Sequence, residues 1–249
     1  MKKSYGTYDI ILNVGDNMKK LIFSLLLVMV VFSITGCTYK MSEDQKKFRE
    51  EYESLNGKKT EKGDNTYRKI NISKDNPFVY TTAEEVVEKI NNKESFIVYF
   101  GFSKCPWCRS ILEELIHAAK DKKVEKIYYV DVLDIRDIKE LKDGEVVTTK
   151  EGTEGYMKLI ELLNPVLEDY NLEDENGEKI ATGEKRIYAP NVVAISSGEA
   201  IQLETGTPDY FEDPYAKLTD KVKKYSYKKF TCLMKCLEEE KNICKKNSC

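Results

Sequence analysis

The stretch "FGFSKCPWCRSILEELI", residues 100–116, decides the fold, because it joins an apolar run to an amphipathic helical pattern with two cysteines at the junction. Upstream, "SFIVYFGF" (95–102) is short, aromatic and β-branched, the composition of a strand covered on both faces. Downstream, Ile111, Leu112, Leu115, Ile116 and Ala119 recur at helical spacing, while Glu113, Glu114 and Lys120 fall on the other side. Pro106 suits the first position of that helix, where a missing N–H is harmless and φ is already helical. Cys105 then occupies the cap, where free backbone N–H groups and the positive end of the helix dipole favour a thiolate. Cys108 lies one turn on, placed to attack a mixed disulfide on Cys105. The spacing thus assigns Cys105 as nucleophile and Cys108 as resolving thiol. Lys104 and Arg109 either add positive charge to the site or are simply solvated. Metal binding at the pair would need further ligands, which nearby segments do not supply, so no metal is expected. The single histidine, His117, excludes a His-rich centre, and helical rotation points it away from the cap, as a surface or boundary residue.

Outward from this junction, "VEKIYYVDVLD" (124–134) repeats the buried-strand character and reads as a parallel neighbour of the first strand, making a βαβ unit. "PFVYTT" followed by "AEEVVEKINN" predicts a short strand and a helix entered at Thr82, with Val86, Val87 and Ile90 on one face. Between Ile135 and Arg186 the chain carries an insertion, placed at about 135–185. Its "GTEGYMKLIELLNPVLEDY" is helical in period, with a break at Pro165, and "LEDENGEKIATGEK" reads as a polar loop. "RIYAPNVVAISSGEAIQLETG" gives an apolar strand, a Ser-Ser-Gly turn and a second strand to Glu204, the signature of a hairpin.

These residues carry a resemblance. The stretch from about Phe78 to Leu203 resembles the thioredoxin superfamily: a strand, a Cys-Pro-Trp-Cys helix start, a second strand and a late Ala-Pro before another strand. The resemblance implies an α/β fold, a thioredoxin-like three-layer sandwich, here with a helical insertion and a Cys-rich helical C-terminal extension. It implies a cis bond at Ala189-Pro190 opposite the cysteines, and substrate backbone held against Ala189. The departures from the pattern are specific. Many thioredoxins place a buried aspartate in the strand before the active cysteines, and the equivalent position here holds Tyr99, whose phenol is a poor base near neutrality. The dipeptide is Pro-Trp rather than Gly-Pro, and the spacing to the proline is longer. Secreted and lipid-anchored thioredoxin-like proteins tolerate such changes, among them those resembling bacteriocin-transport accessory proteins. Trp107 is either an aromatic contact for a partner or a plug over the thiols, and recognition surfaces favour the first. Trp107, Ala189 and Pro190 are therefore the expected substrate-binding residues.

The N-terminus reads as addressing. "MKKLIFSLLLVMVVFSITGC" (18–37) has a lysine pair, an apolar stretch and small residues before a cysteine, the layout of a secretory signal. Its apolar core is short against the roughly 20 residues of a membrane span. Ile34-Thr35-Gly36-Cys37 resembles the lipobox of bacterial lipoproteins, which implies lipidation of Cys37 and removal of the signal peptide 18–36. Residues 1–17 read as a misassigned upstream extension. From 37 to 70 the chain is nearly all polar, the composition of a tether with a helical stretch around Gln45 to Leu55. The thioredoxin-like domain is expected over 71–225 and a Cys-rich helical tail over 226–249. In that tail Cys232, Cys236, Cys244 and Cys249 allow three pairings, and disulfides are favoured over a four-thiolate zinc site in an oxidising compartment. The pairing stays open; a nested clasp, Cys236 with Cys244 and Cys232 with Cys249, would staple a helix to a short return.

With a formal charge of −3 and no uncompensated basic block, no nucleic-acid partner is expected. The leading expectation is a thiol–disulfide oxidoreductase without cofactor, lipid-anchored to the extracytoplasmic face of the cell membrane. Its partners would be protein or peptide thiols and disulfides and a membrane electron-transfer partner. The first alternative is a non-enzymatic accessory module for a secretion or transport system, with the two cysteines locked together. A copper-handling thiol protein is the third.

Overall fold

A computed structural model describes residues 40–238. The upstream extension, the signal 18–36, Cys37, Cys244 and Cys249 lie outside the described residues. A five-stranded mixed sheet forms the frame, in the order β1 (Phe78–Tyr80), β3 (Ile127–Asp131), β2 (Phe96–Gly101), β8 (Asn191–Ser196), β9 (Glu199–Glu204). β1 and β2 run parallel to β3, whereas β8 is antiparallel to both β2 and β9. β2 is central and every one of its residues is buried, which is why its sequence is a continuous apolar run.

Strand alternation sorts the core into two halves. Ile97 and Tyr99 of β2 face a cluster containing Phe78, Tyr129, Val192 and Ala194 of the neighbouring strands. That face is covered by α1 (Glu43–Glu53), α3 (Pro106–Asp121) and α5 (Asp220–Glu238). Phe96, Val98 and Phe100 face the opposite cluster, covered by α2 (Ala83–Asn91) and α4 (Glu154–Leu163). The result is an α/β fold with helices on both sides of one sheet.

The predicted βαβ unit is present, since α3 links β2 to the parallel β3. α2 starts where expected: Thr82 accepts from the Glu85 N–H, and the Glu85 carboxylate accepts from the Thr82 N–H. The β8–β9 hairpin turns through Ser197 and Gly198, both at positive φ (50° and 75°), the backbone of a two-residue turn matched to strand twist. Gly198 is required there for a second reason: a Cβ would meet the Ile90 carbonyl oxygen at 2.3 Å.

Three expectations need correction. The helical stretch expected around Gln45 to Leu55 is present as α1 over 43–53, closed by a capping box between Ser42 and Gln45, but it is docked on the sheet and is no tether. Its Phe48 and Tyr52, four residues apart on one stripe, are fully buried against Phe78, Tyr99 and Tyr129. Two aromatic rings contribute enough apolar area to dock a helix whose other positions are solvated.

The insertion at about 135–185 is not chiefly helical. It contains the hairpins β4 (Ile138–Lys142) with β5 (Glu145–Lys150) and β6 (Glu168–Glu173) with β7 (Lys179–Arg186), and the expected polar loop is largely β7. Its helix, α4, is no appendage, since Tyr156, Leu159 and Leu163 are buried in the sheet's second face. The Arg186 guanidinium ties the two hairpins together, 3.6 Å from the Asp137 carboxylate and 3.9 Å from the Tyr170 ring centre.

The tail boundary at 226 likewise cuts through α5. Phe230, Leu233 and Met234 are buried in the core beside α3, so this part of the extension belongs to the domain. Cys232 and Cys236 are disulfide-bonded. Among the described residues no helix is long and apolar enough to cross a membrane.

Candidate dithiol site

The site forms where the central strand ends. After β2 the chain turns at 102–104 and enters α3 with Cys105 as its N-cap, at φ −73° and ψ 117°, and Pro106 in the first turn. This cap is a sulfur: Cys105 Sγ accepts a hydrogen bond from the Cys108 backbone N–H at 3.1 Å. Both cysteines are free thiols. From 84 residues further along, the start of β8 brings in the cis Ala189-Pro190 bond, and the Ala189 carbonyl oxygen accepts from Cys105 Sγ at 3.3 Å. Cys105, Cys108, Ala189 and Pro190 are thus one constellation, as the sequence pattern requires.

The two sulfurs differ in acidity. Burial opposes ionisation of Cys105, but the Cys108 thiol, the N–H groups of Cys108 and Trp107, and the Arg136 charge outweigh it. Its pKa ends below the ordinary thiol value. Burial pushes Cys108 well above that value, reinforced by its hydrogen bond to Cys105 and by negative charge there; the Tyr99 hydroxyl works the other way. An ionised sulfur at the cap beside a protonated one a turn behind is the charge state in which the first can attack and the second waits.

Both sulfurs lie under cover. Cys105 is only 3% exposed and Cys108 not at all. Trp107 is half-buried rather than an open lip, its indole edge-to-face with Phe211 at 5.8 Å. Tyr215 also lies near Cys105. Beside this cover a cleft of about 320 Å³ is lined by Tyr67, Phe102, Lys104, Arg136 and Tyr215, with residues 60–65 along its rim. Neither sulfur lines it, and its walls mix aromatic rings with both signs of charge.

Lys104 pairs with Glu61 in solvent, as a solvated residue would. Arg109 is buried instead of solvated. Its guanidinium donates to the Tyr52, Ser103 and Arg68 carbonyls at 2.8, 3.3 and 2.6 Å, and to Asn56 Oδ1 at 2.6 Å. One planar fork thereby fixes the loop before the cysteines to α1 and to the segment after it. His117 lies on the surface of α3, 3.6 Å from both Glu114 and Asp121.

Sequence reasoning missed Tyr52, Arg136 and the true environment of Arg109. The Phe48–Tyr52 pair at i, i+4 was the available signal for the first, while nothing local marks the other two. No cluster of three or more metal-ligating side chains occurs among the described residues. No known family model matches the chain, and no curated protein matches its sequence.

Proposed function

We propose that this chain is a thioredoxin-like thiol–disulfide oxidoreductase, working through Cys105 and Cys108 on extracytoplasmic protein or peptide substrates. A lipid on Cys37 would hold it to the membrane, where an electron-transfer partner would reset the pair. The observation that carries the reading is the Cys105 sulfur at a helix N-cap, hydrogen-bonded to the Cys108 N–H and lying against the Ala189 carbonyl. In the reducing direction the Cys105 thiolate attacks a substrate disulfide, forming a mixed disulfide and expelling one substrate thiolate. Cys108 then gives up its proton and attacks Cys105, expelling the second substrate thiol and leaving a Cys105–Cys108 disulfide, so two electrons pass to the substrate. Oxidation of substrate is the same sequence reversed, and the pair's potential against its partner sets the direction.

The burial of both sulfurs favours a second reading, the accessory module whose thiols do not turn over. Trapping separates the two. Cys108→Ser in the native host should accumulate mixed disulfides on Cys105 that reducing agent releases. An empty trap, with Cys105 expressed and reduced, would favour the accessory module.

A further inference from the structure

β2 and β3 pair with Tyr99 directly beside Tyr129, and their rings stack 5.5 Å apart at 21°. Onto this pair α1 sets Tyr52, whose hydroxyl is 3.0 Å from that of Tyr99. The Tyr52 hydroxyl also interacts with that of Tyr129. Tyr129 in turn donates to Glu51 Oε1 at 3.2 Å. All three phenols are fully buried, whereas Glu51 is half-exposed at the rim. At the inner end the Tyr99 hydroxyl faces the Cys108 thiol. Space for that hydroxyl depends on Gly101, since a Cβ there would lie 2.3 Å from it.

We propose that Tyr99, Tyr52 and Tyr129 form a proton relay that carries the Cys108 proton to the Glu51 carboxylate when Cys108 attacks the mixed disulfide. This rests on the dithiol exchange proposed above. Packing alone does not call for the hydroxyls, because phenylalanine would fill the same space without polar atoms to satisfy. Burial raises the pKa of each phenol, so none is a resident base; each can take one proton while passing on another. The step balances. The Cys108 S–H proton goes to Tyr99 oxygen, that of Tyr99 to Tyr52, that of Tyr52 to Tyr129, and that of Tyr129 to Glu51. Three neutral phenols, a Cys108 thiolate and a neutral Glu51 result.

The charged and titratable surroundings are few. Around Glu51 stand the Tyr80 hydroxyl, which donates to Oε2, the carboxylates of Asp131 and Asp44, and the Lys47 ammonium 3.9 Å from the Tyr80 ring centre. Facing Cys108 are Cys105 and Tyr99 on one side and Tyr52 on the other, with Arg136 beyond Cys105 and Arg109 against the Tyr52 carbonyl.

Reaction of the reduced protein with Ellman's disulfide isolates the step. One thionitrobenzoate leaves when Cys105 attacks, and a second leaves when Cys108 attacks the adduct on Cys105. Glu51→Gln and Tyr99→Phe should each slow the second release relative to the first by at least ~10-fold at neutral pH and move its profile to higher pH. Combining them should cost no more than either alone, because both cut one path. Tyr227→Phe, whose hydroxyl donates to Asp121 at the far end of α3 and touches no member of the path, should leave the second release at the wild-type rate. Wild-type second-phase rates and pH profiles in Glu51→Gln, or additive effects in the double variant, overturn the relay while leaving dithiol exchange standing. A wild-type protein with no second release overturns both.

Discussion

Truncating Phe48 to alanine tests whether α1 is part of the fold or a tether resting on it. The ring is fully buried, stacks on Phe78 at 3.9 Å and on Tyr52 at 4.6 Å, and meets Tyr129 edge-on at 4.9 Å. A Phe→Ala change at a closed core site costs about 3–5 kcal/mol, and three aromatic partners argue for the upper half of that range. With a urea slope of about 2 kcal/mol/M, the unfolding midpoint should fall by roughly 2–2.5 M. Fluorescence of the only tryptophan, Trp107, reports the transition, with the disulfides kept oxidised in both proteins. Glu50→Ala is the control on the wet side of the same helix. Its partner Lys46 is 3.7 Å away and both side chains are about two-thirds exposed, so the midpoint should move by less than the equivalent of about 0.5 kcal/mol. If Phe48→Ala also changed stability by under about 1 kcal/mol, α1 would be a docked tether and the core would end at β1.

Other outcomes follow from the site. Gly101→Ala should destabilise the protein by about 1–3 kcal/mol, because the new methyl would overlap the Tyr99 hydroxyl, and it should slow disulfide formation; Gly144→Ala, with open space around it, should leave thiol chemistry untouched. Alkylation of Cys105 in the reduced protein should reach half its maximal rate at a lower pH than that of a free cysteine peptide, and Arg136→Ala should move that midpoint upward; a wild-type midpoint at or above that of the peptide would refute the assigned asymmetry. The same shift has a stability signature with a fixed sign. The Cys105 contribution is fully present above the thiol pKa of the unfolded chain and is lost as pH falls through the lower folded value. Cys108 contributes oppositely, with stability present below the unfolded value and lost as pH rises through its raised folded value. Urea midpoints of the reduced protein, compared for Cys105→Ser and Cys108→Ser across that window, should drift in opposite directions. Arg109→Lys should lower stability by about 2–4 kcal/mol, because an ammonium cannot reach three carbonyls and an amide from one fixed plane.

The elements that could be read from sequence are those whose own residues dictate their state. β2 is apolar throughout, α3 has its stripe and its proline, and the β8–β9 turn has a glycine where the backbone needs one. The pairing of Cys105 with Ala189-Pro190 was also legible, through the family resemblance. The helical stretch of α1 was legible, but its docking was hidden because only two aromatic residues bury it and the rest of the helix is charged. The insertion's hairpins were hidden because their strands are half-exposed, so polar residues break the alternation that marks a strand. Apart from the Phe48–Tyr52 spacing, the phenols around Cys108 carry no local signal. They meet through the register of β2 with β3 and through a helix that precedes both in the chain.

The order in which the site's parts leave the ribosome has a consequence for the cell. The amides that sharpen the Cys105 sulfur belong to residues 107 and 108, next to it in the chain, whereas its carbonyl neighbour, Ala189, and the aromatic residues near it, Phe211 and Tyr215, are made long afterwards. A growing chain therefore presents this cysteine before the segments that shield it exist, and Cys232 and Cys236 arrive last of all the described cysteines. Mispairing of this early cysteine is a hazard built into the linear order, and it ends only when the later third of the chain has docked.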